Sequence, residues 1–513
     1  MFRLPMFSSA FKMVFNANRF KQSSTSPSTI TVRRGGLSTK KHETSDCPIN
    51  QLNSLQTIPT TMNFMTRIQN WLRATPRIAG LLALWSLQSL GSLASDQIPG
   101  ARQAKPILIQ NAIVHTVSNG TLVNHCLLIK EGKIAQILPV IPAEDGFEVI
   151  DAQGKHVYPG LFDSLSYMGL VEIDSINASV DNAETGSVNP NVRANAAFNP
   201  DSEAIPVARA NGVLFSLISP TGGLISGRSA VMQLDGWTWE DMTVRSDATM
   251  TAQWPRFGNP SGRARGGRGP RDADASEGES TDRLAPVYEI LRETRAYAQA
   301  KASDPNLNID LRLEAMIPVI ERKTPMMIVA NSSKQIQTAV AFCQQQGLKM
   351  VLFGGADAMH CADLLKEANV PVVLSAVYRL PVRRDAAYDS MYALPGELQA
   401  RGIRFSIASD GRFGSANVRN LPYHAAAACG FGLDPETALR SITLAPAEIF
   451  GVADRIGSIQ VGKEASLFLA DGDILETATQ VEKAWIQGRK VDLSSRHTDL
   501  YDKYKTKYEQ LKN

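Results

Sequence analysis

The sequence predicts an α/β protein: a parallel βα array with a small β-domain formed by its two flanks. Two observations predict it. Residues 159–450 alternate strand-like apolar runs with helix-like segments, as strands joined by crossover helices do. On either side, residues 104–158 and 451–493 break into short strands at turn signals. The length allows this, since 513 residues, 43% of them apolar and 20% charged, bury one large core or two moderate ones. The formal net charge of +3 is small for such a chain and argues for no acidic partner.

The first hundred residues divide in two. Residues 1–64 are rich in Ser, Thr, Lys and Arg without a sustained period. They are expected to be unstructured, or to lie upstream of a true start at Met62 or Met65. Residues 65–94 read as a secretory signal. Arg67, Arg73 and Arg77 precede the apolar run Ile78–Leu90, which is too short and too interrupted to span a bilayer, and Ser92-Leu93-Ala94 offers small residues for cleavage after Ala94. The expectation is an exported protein, periplasmic or extracellular, with no membrane span after signal cleavage. An uncleaved anchor, and an organellar transit peptide for the basic upstream segment, are the alternatives.

Taken in order, the first flank carries Ile107–Ile109, Ala112–His115 and Cys126–Lys130, with a hairpin signal at Asn119-Gly120 and a turn at Glu131-Gly132-Lys133. His156-Val157-Tyr158, Pro159-Gly160 and Leu161-Phe162-Asp163 read as strand, break, strand. Gly212–Ile218 is apolar throughout, as a strand covered on both faces is. The glycine-rich loop Ser219–Gly227 lacks the ending of a P-loop and the G-x-G-x-x-G spacing, so no phosphate cradle is expected there. Residues 256–284 place an arginine block before an acidic block and are expected to form a disordered insertion. Without stacking aromatics after Phe257, no nucleic-acid partner is expected. Strands follow at Met326–Ala330, Met350–Phe353, Val370–Leu374 and Ile403–Ser409. Helices are expected over Leu284–Ala302, Ser333–Gln346, Cys361–Ala368 and Pro395–Gly402. Ala465–Ala470 and Val481–Ile486 supply the second flank. Residues 494–513 form a charged helix with Leu500, Tyr504, Tyr508 and Leu511 along one side, expected to dock on the surface. Cys126, Cys343, Cys361 and Cys429 lie in apolar runs without Cys-x-x-Cys spacing and read as buried free thiols, a disulfide being the alternative.

Several motifs occur in the order in which one superfamily carries them. They are Pro159-Gly-Leu-Phe-Asp163, Gly222-Gly-Leu-Ile-Ser-Gly227, Tyr378-Arg-Leu-Pro-Val-Arg383, Ala408-Ser409-Asp410, Pro435–Gly451 and Gly457-Ser-Ile-Gln-Val-Gly-Lys463. Over roughly residues 106–493 the chain resembles the amidohydrolase superfamily, in its imidazolonepropionase-like and Xaa-Pro-dipeptidase-like branch. The resemblance implies a (β/α)8 TIM-type barrel over 159–450, a β-sandwich domain from both ends of the mature chain, and hydrolysis of non-peptide or dipeptide carbon–nitrogen bonds. It places the site on loops at the carboxyl ends of the barrel strands. It also implies a zinc or other divalent-metal centre: two histidines after the first strand, a lysine or glutamate after the fourth, histidines after the fifth and sixth, and an aspartate after the eighth.

Here those positions read differently. Leu165 and Tyr167 stand at the first pair, Val329 and Gly354 at the fifth and sixth, no lysine matches the fourth, and Asp410 alone is kept. His115 and His156 fall in the β-rich flank, and His360 and His424 fall beyond the strands. A degenerate site with no bound metal, and no other cofactor, is therefore expected. Asp410 is the candidate catalytic residue, as a general base, or else it pairs with an arginine. Asp163, Tyr167, Asn331, Arg379 and Arg383 are candidate substrate-binding residues. Three functions stay open: an exported hydrolase with an altered centre, a non-catalytic pseudoenzyme that binds a ligand or partner, or a structural component of the cell envelope. The expected partner is a small molecule, with self-association into a homo-oligomer left open.

Overall fold

A computed structural model describes residues 97–256, 283–409 and 415–512. The upstream segment, the signal, nearly all of the 256–284 insertion and Asp410 lie outside the described residues.

The first flank forms β1 (Ile107–His115), β2 (Thr121–Lys130), β3 (Lys133–Leu138), β4 (Glu148–Asp151) and β5 (His156–Pro159). Asn119-Gly120 turns β1 into β2, with Gly120 at φ 73°, a conformation that costs glycine little. The middle of the chain forms β6 (Leu161–Ser166), β7 (Val213–Ile218), β8 (Ile225–Gln233), β9 (Thr243–Gln253), β10 (Met326–Ala330), β11 (Met350–Gly354), β12 (Val372–Ser375) and β13 (Phe405–Ala408). These eight lie side by side in chain order as one sheet. Ser164 Oγ on β6 donates to Ser406 Oγ on β13 at 2.8 Å, so the sheet curls until its first and last strands meet. The expected barrel is present. β6 and β7 are buried at every residue, because the barrel interior covers one face and the surrounding chain the other.

One strand differs from a wholly parallel array. β8 runs antiparallel to both β7 and β9. Gly222 and Gly223, at φ 87° and 65°, reverse the chain directly after β7, so a hairpin replaces a crossover helix. The glycine-rich loop is therefore shorter than its composition suggests, since Ile225-Ser226-Gly227 already belongs to a strand.

After the barrel, β14 (Leu467–Ala470), β15 (Val481–Ile486) and β16 (Arg489–Val491) return to the first sheet, whose order is β16-β15-β14-β5-β1-β2-β3 with β4 beside β1. Both flanks thus build a single sheet. Its strands alternate in the way a two-faced sheet must. Leu467, Leu469 and Trp485 point into one cluster with Ile109, Leu127 and Ile129, while Phe468, Ala470, Ala484 and Ile486 join the barrel core. Gly212 makes this contact possible: a Cβ there would lie 2.8 Å from the Phe468 ring. Cys126, Cys343, Cys361 and Cys429 are free thiols, the first three buried.

The carboxy-terminal helix Arg496–Gln510 forms but does not dock, and none of its residues is buried. Leu500, Tyr504 and Tyr508 are 41%, 49% and 61% exposed, and none of the described residues buries them. Among the described residues, no helix is long and apolar enough to cross a membrane.

A buried charge cluster ties the two sheets together. Asp235, after β8, accepts from Arg209 Nη1 at 2.9 Å and from Gly100 N–H at 3.2 Å, and lies 3.5 Å from Arg489 Nη1 of β16. Arg209 also donates to the Leu234 carbonyl at 3.0 Å and to Gln97. Burial works against both members of the Arg209–Asp235 pair, lowering one pKa and raising the other, and their attraction offsets it. Removing one partner strands the other charge. Asp235→Ala is expected to cost about 3–5 kcal/mol, read as a lower urea midpoint; a loss below about 1 kcal/mol would show that the cluster is solvated.

Candidate functional site

The carboxyl ends of β6, β10, β11, β12 and β13 converge at one end of the barrel, where the candidate residues were expected. Asp163, on β6, is fully buried. Its carboxyl accepts Ser409 N–H at 2.8 Å through Oδ1 and Ser409 Oγ at 2.6 Å through Oδ2. Both oxygens are therefore engaged with the residue just after β13, and Asp163 clasps the barrel instead of offering itself to a substrate. Burial pushes its pKa up to about 7, against the Ser409 hydrogen bonds, which favour the ionised form. Ser166 Oγ pairs with Ser216 Oγ at 2.8 Å, and Ser219 Oγ with Thr251 Oγ1 at 2.8 Å, so short hydroxyl pairs also link β6 to β7 and the residue after β7 to β9.

Tyr167 follows β6, half-buried, packed against the barrel core and hydrogen-bonded to Thr221. Asn331 follows β10. Its backbone is fixed on both sides: its N–H donates to Gln335 Oε1 at 3.3 Å and its carbonyl accepts Asp357 N–H at 2.9 Å. Gln335 in turn caps the helix Ser333–Gln346 with Ser332. Among the described residues, the Asn331 side-chain oxygen is buried without a hydrogen-bond partner. Such an atom is rare in a folded protein. It lies against Gly354, where a Cβ would come within 2.7 Å of it.

Arg379 and Arg383 sit on the loop after β12. That loop begins with Ala376 at φ 55°, a strained angle for a residue with a Cβ. His424, buried in the helix Leu421–Gly430, receives Val377 N–H and Tyr378 N–H at Nδ1, each at 3.3 Å, and so holds the start of the loop. Arg379 Nη1 donates to the Ser375 carbonyl at 3.1 Å and stays close to the barrel. Arg383 is exposed and forks onto Asp385. It borders a rim cavity of about 290 Å3 with Asp357, His360 and Glu397, and does not reach the barrel interior. The structure thus brings Asp163, Tyr167, Asn331 and Arg379 to one end, and sets Arg383 apart. Sequence reasoning missed Ser409 and His424 as positioning groups, because their hydrogen-bond partners, the Asp163 carboxyl and the amides of Val377 and Tyr378, are remote in the chain.

Among the described residues, the side chains at the expected ligand positions do not fit a divalent cation. Leu165 and Val329 offer only carbon, and Gly354 offers nothing. Among the described residues, no three His, Cys, Asp or Glu side chains gather to hold an ion. Gly354 is decisive, because at φ 102°, with the Ala330 carbonyl 3.0 Å from a notional Cβ, this backbone leaves no room for a side chain.

Two outcomes follow. The folded state holds the Asp163 proton to about pH 7, whereas the unfolded chain releases it near the ordinary value of 3.8. Its contribution is complete below the lower value and is lost as pH rises through the upper one. Thermal melts are expected to show stability falling between those limits, and Asp163→Asn to flatten that slope. Gly354→Ala is expected to lower stability by more than about 1 kcal/mol, measured by denaturant unfolding.

Comparison with known proteins agrees with the barrel fold. Residues 328–492 match the family model described as Amidohydrolase family. Amidohydrolase tasK of Hapsidospora irregularis is 22% identical over 430 residues, 75% of this chain and 43% of its own length. The imidazolonepropionase of Syntrophobacter fumaroxidans is 31% identical over 109 residues, 21% of this chain and 24% of its own length. The chain therefore spans less than half of these curated relatives. A crystal structure of an amidohydrolase from Thermotoga maritima superposes with a TM-score of 0.65 at 24% identity, over 75% of this chain and 99% of its own, and shares its fold. The chain carries an amidohydrolase-family domain.

Proposed function

We propose that this protein is an exported hydrolase of amide-type carbon–nitrogen bonds, working at the carboxyl end of the barrel with a centre that departs from a divalent-metal cluster. The observation that carries the hydrolase reading is the family match over residues 328–492. The buried, unpartnered Asn331 oxygen supports an amide substrate, since an N–H of the ligand would supply the missing donor. Small cyclic amides or dipeptides are the substrate class, in keeping with the imidazolonepropionase likeness.

In this reading Asp410 is the general base. It takes a proton from water as the oxygen attacks the carbonyl carbon, and returns it to the leaving nitrogen as the C–N bond breaks. The hydrogen bonds of Asp163 to Ser409 fix the chain one residue before it. Asn331 and Arg379 hold the substrate.

The test is a turnover assay on cyclic amides and dipeptides, paired with elemental analysis of the purified protein. Asp410→Asn is expected to lower kcat by about 10²- to 10⁴-fold, with chelators without effect. Near-stoichiometric zinc, iron or manganese would overturn the altered centre. Binding of amides without turnover, unchanged in Asp410→Asn, would identify a non-catalytic relative. Export predicts a native chain beginning at Ser95, read by amino-terminal sequencing.

A further inference from the structure

The barrel has a second concave end. At the amino ends of β9 to β13, away from Asn331, Gly354 and Arg379, lies a cavity of about 420 Å3. Arg245, Arg322, Lys323, Lys349 and Arg404 line it, against one carboxylate, Glu448. That carboxylate is engaged with Arg440 at 2.6 Å, and Lys323 with Glu321 at 2.8 Å. Among the described residues the other four cations form no ion pair.

Neutral groups hold three of them. Arg245 Nη1 donates to the carbonyls of Phe450 and Gly451, each at 2.8 Å. Arg322 Nη1 donates to the Gly347 carbonyl at 3.2 Å. Arg404 Nη2 donates to Asn369 Oδ1 at 3.1 Å. Carbonyl dipoles orient a guanidinium without cancelling its charge. Four uncompensated cations therefore share one concave space, where like charges repel and the field is focused. Arg322 adds a second sign. Its φ of 61° is one that glycine adopts freely, yet a long cationic side chain stands there, bordering the cavity.

We propose that this cavity is a binding site for a small, multiply charged oxyanion, such as an organic diphosphate or a tricarboxylate. The volume is that of a small-molecule site, and guanidinium forks match the paired oxygens of phosphate and carboxylate. The site is remote from the barrel mouth and does not depend on the hydrolase reading. An anion bound there pins the amino ends of five strands, so it stabilises the fold by mass action.

Inorganic pyrophosphate and citrate are the probes, titrated calorimetrically and by thermal shift at matched ionic strength. Saturable binding near or below about 1 mM is expected for at least one, with a rising Tm; whichever binds distinguishes phosphate from carboxylate. Arg322→Gly, which relieves the backbone angle, and Lys349→Gln, at an unpaired surface cation, are each expected to weaken binding about tenfold while leaving the ligand-free Tm unchanged or higher. No saturable binding of either probe, or an affinity in both variants equal to that of the unaltered protein, would overturn the proposal.

Discussion

A curled sheet has to close, and here it closes on side chains. Between β6 and β13 the buried carboxyl of Asp163 takes both the amide and the hydroxyl of Ser409, and Ser164 meets Ser406. Buried polar groups are costly unless every one is satisfied, so such a seam either fits fully or fails. Its position gives it a second consequence. Ser409 directly follows β13 and precedes Asp410, the candidate base. The same bonds that shut the barrel therefore hold the residue before the candidate base, which makes the fold and the candidate chemistry hard to separate by mutation.

Much of this architecture was legible in the sequence. The strand Met326–Ala330 and the helix Ser333–Gln346 have the bounds their patterns suggest, because an apolar run and a Ser332/Gln335 capping pair mark both edges locally. The reversal of β8 was not legible. A buried strand carries no direction in its hydropathy, and two glycines serve a hairpin or a crossover equally well. The docking of the terminal helix was misjudged for a related reason: a one-sided apolar pattern states a capacity to pack, not the presence of a surface to pack on.

At the site, residue types were readable and their roles were not. Gly354 is visibly no ligand, but that its backbone admits no side chain depends on Asn331 and Ala330 across the neighbouring strand. Asp163 appears as an acid at the barrel mouth until Ser409, 246 residues away, is seen to occupy it. Arg383 was placed by the motif around it, yet Asp385 two residues on claims its guanidinium. The cationic cavity is the extreme case. Arg245, Arg322, Lys349 and Arg404 are scattered along the chain and meet only because adjacent parallel strands begin at the same end.

The undocked terminal helix carries a consequence for handling the protein. Fifteen residues without a buried face draw nothing from packing, and a helix of that length is marginal alone. What holds it lies at its start, where Thr498 Oγ1 accepts Ser495 N–H and His497 meets Arg419. Beyond that point no residue of the helix is buried against the barrel. The tail is thus a natural tether, where a fusion or an immobilising tag can be attached without a load reaching the core.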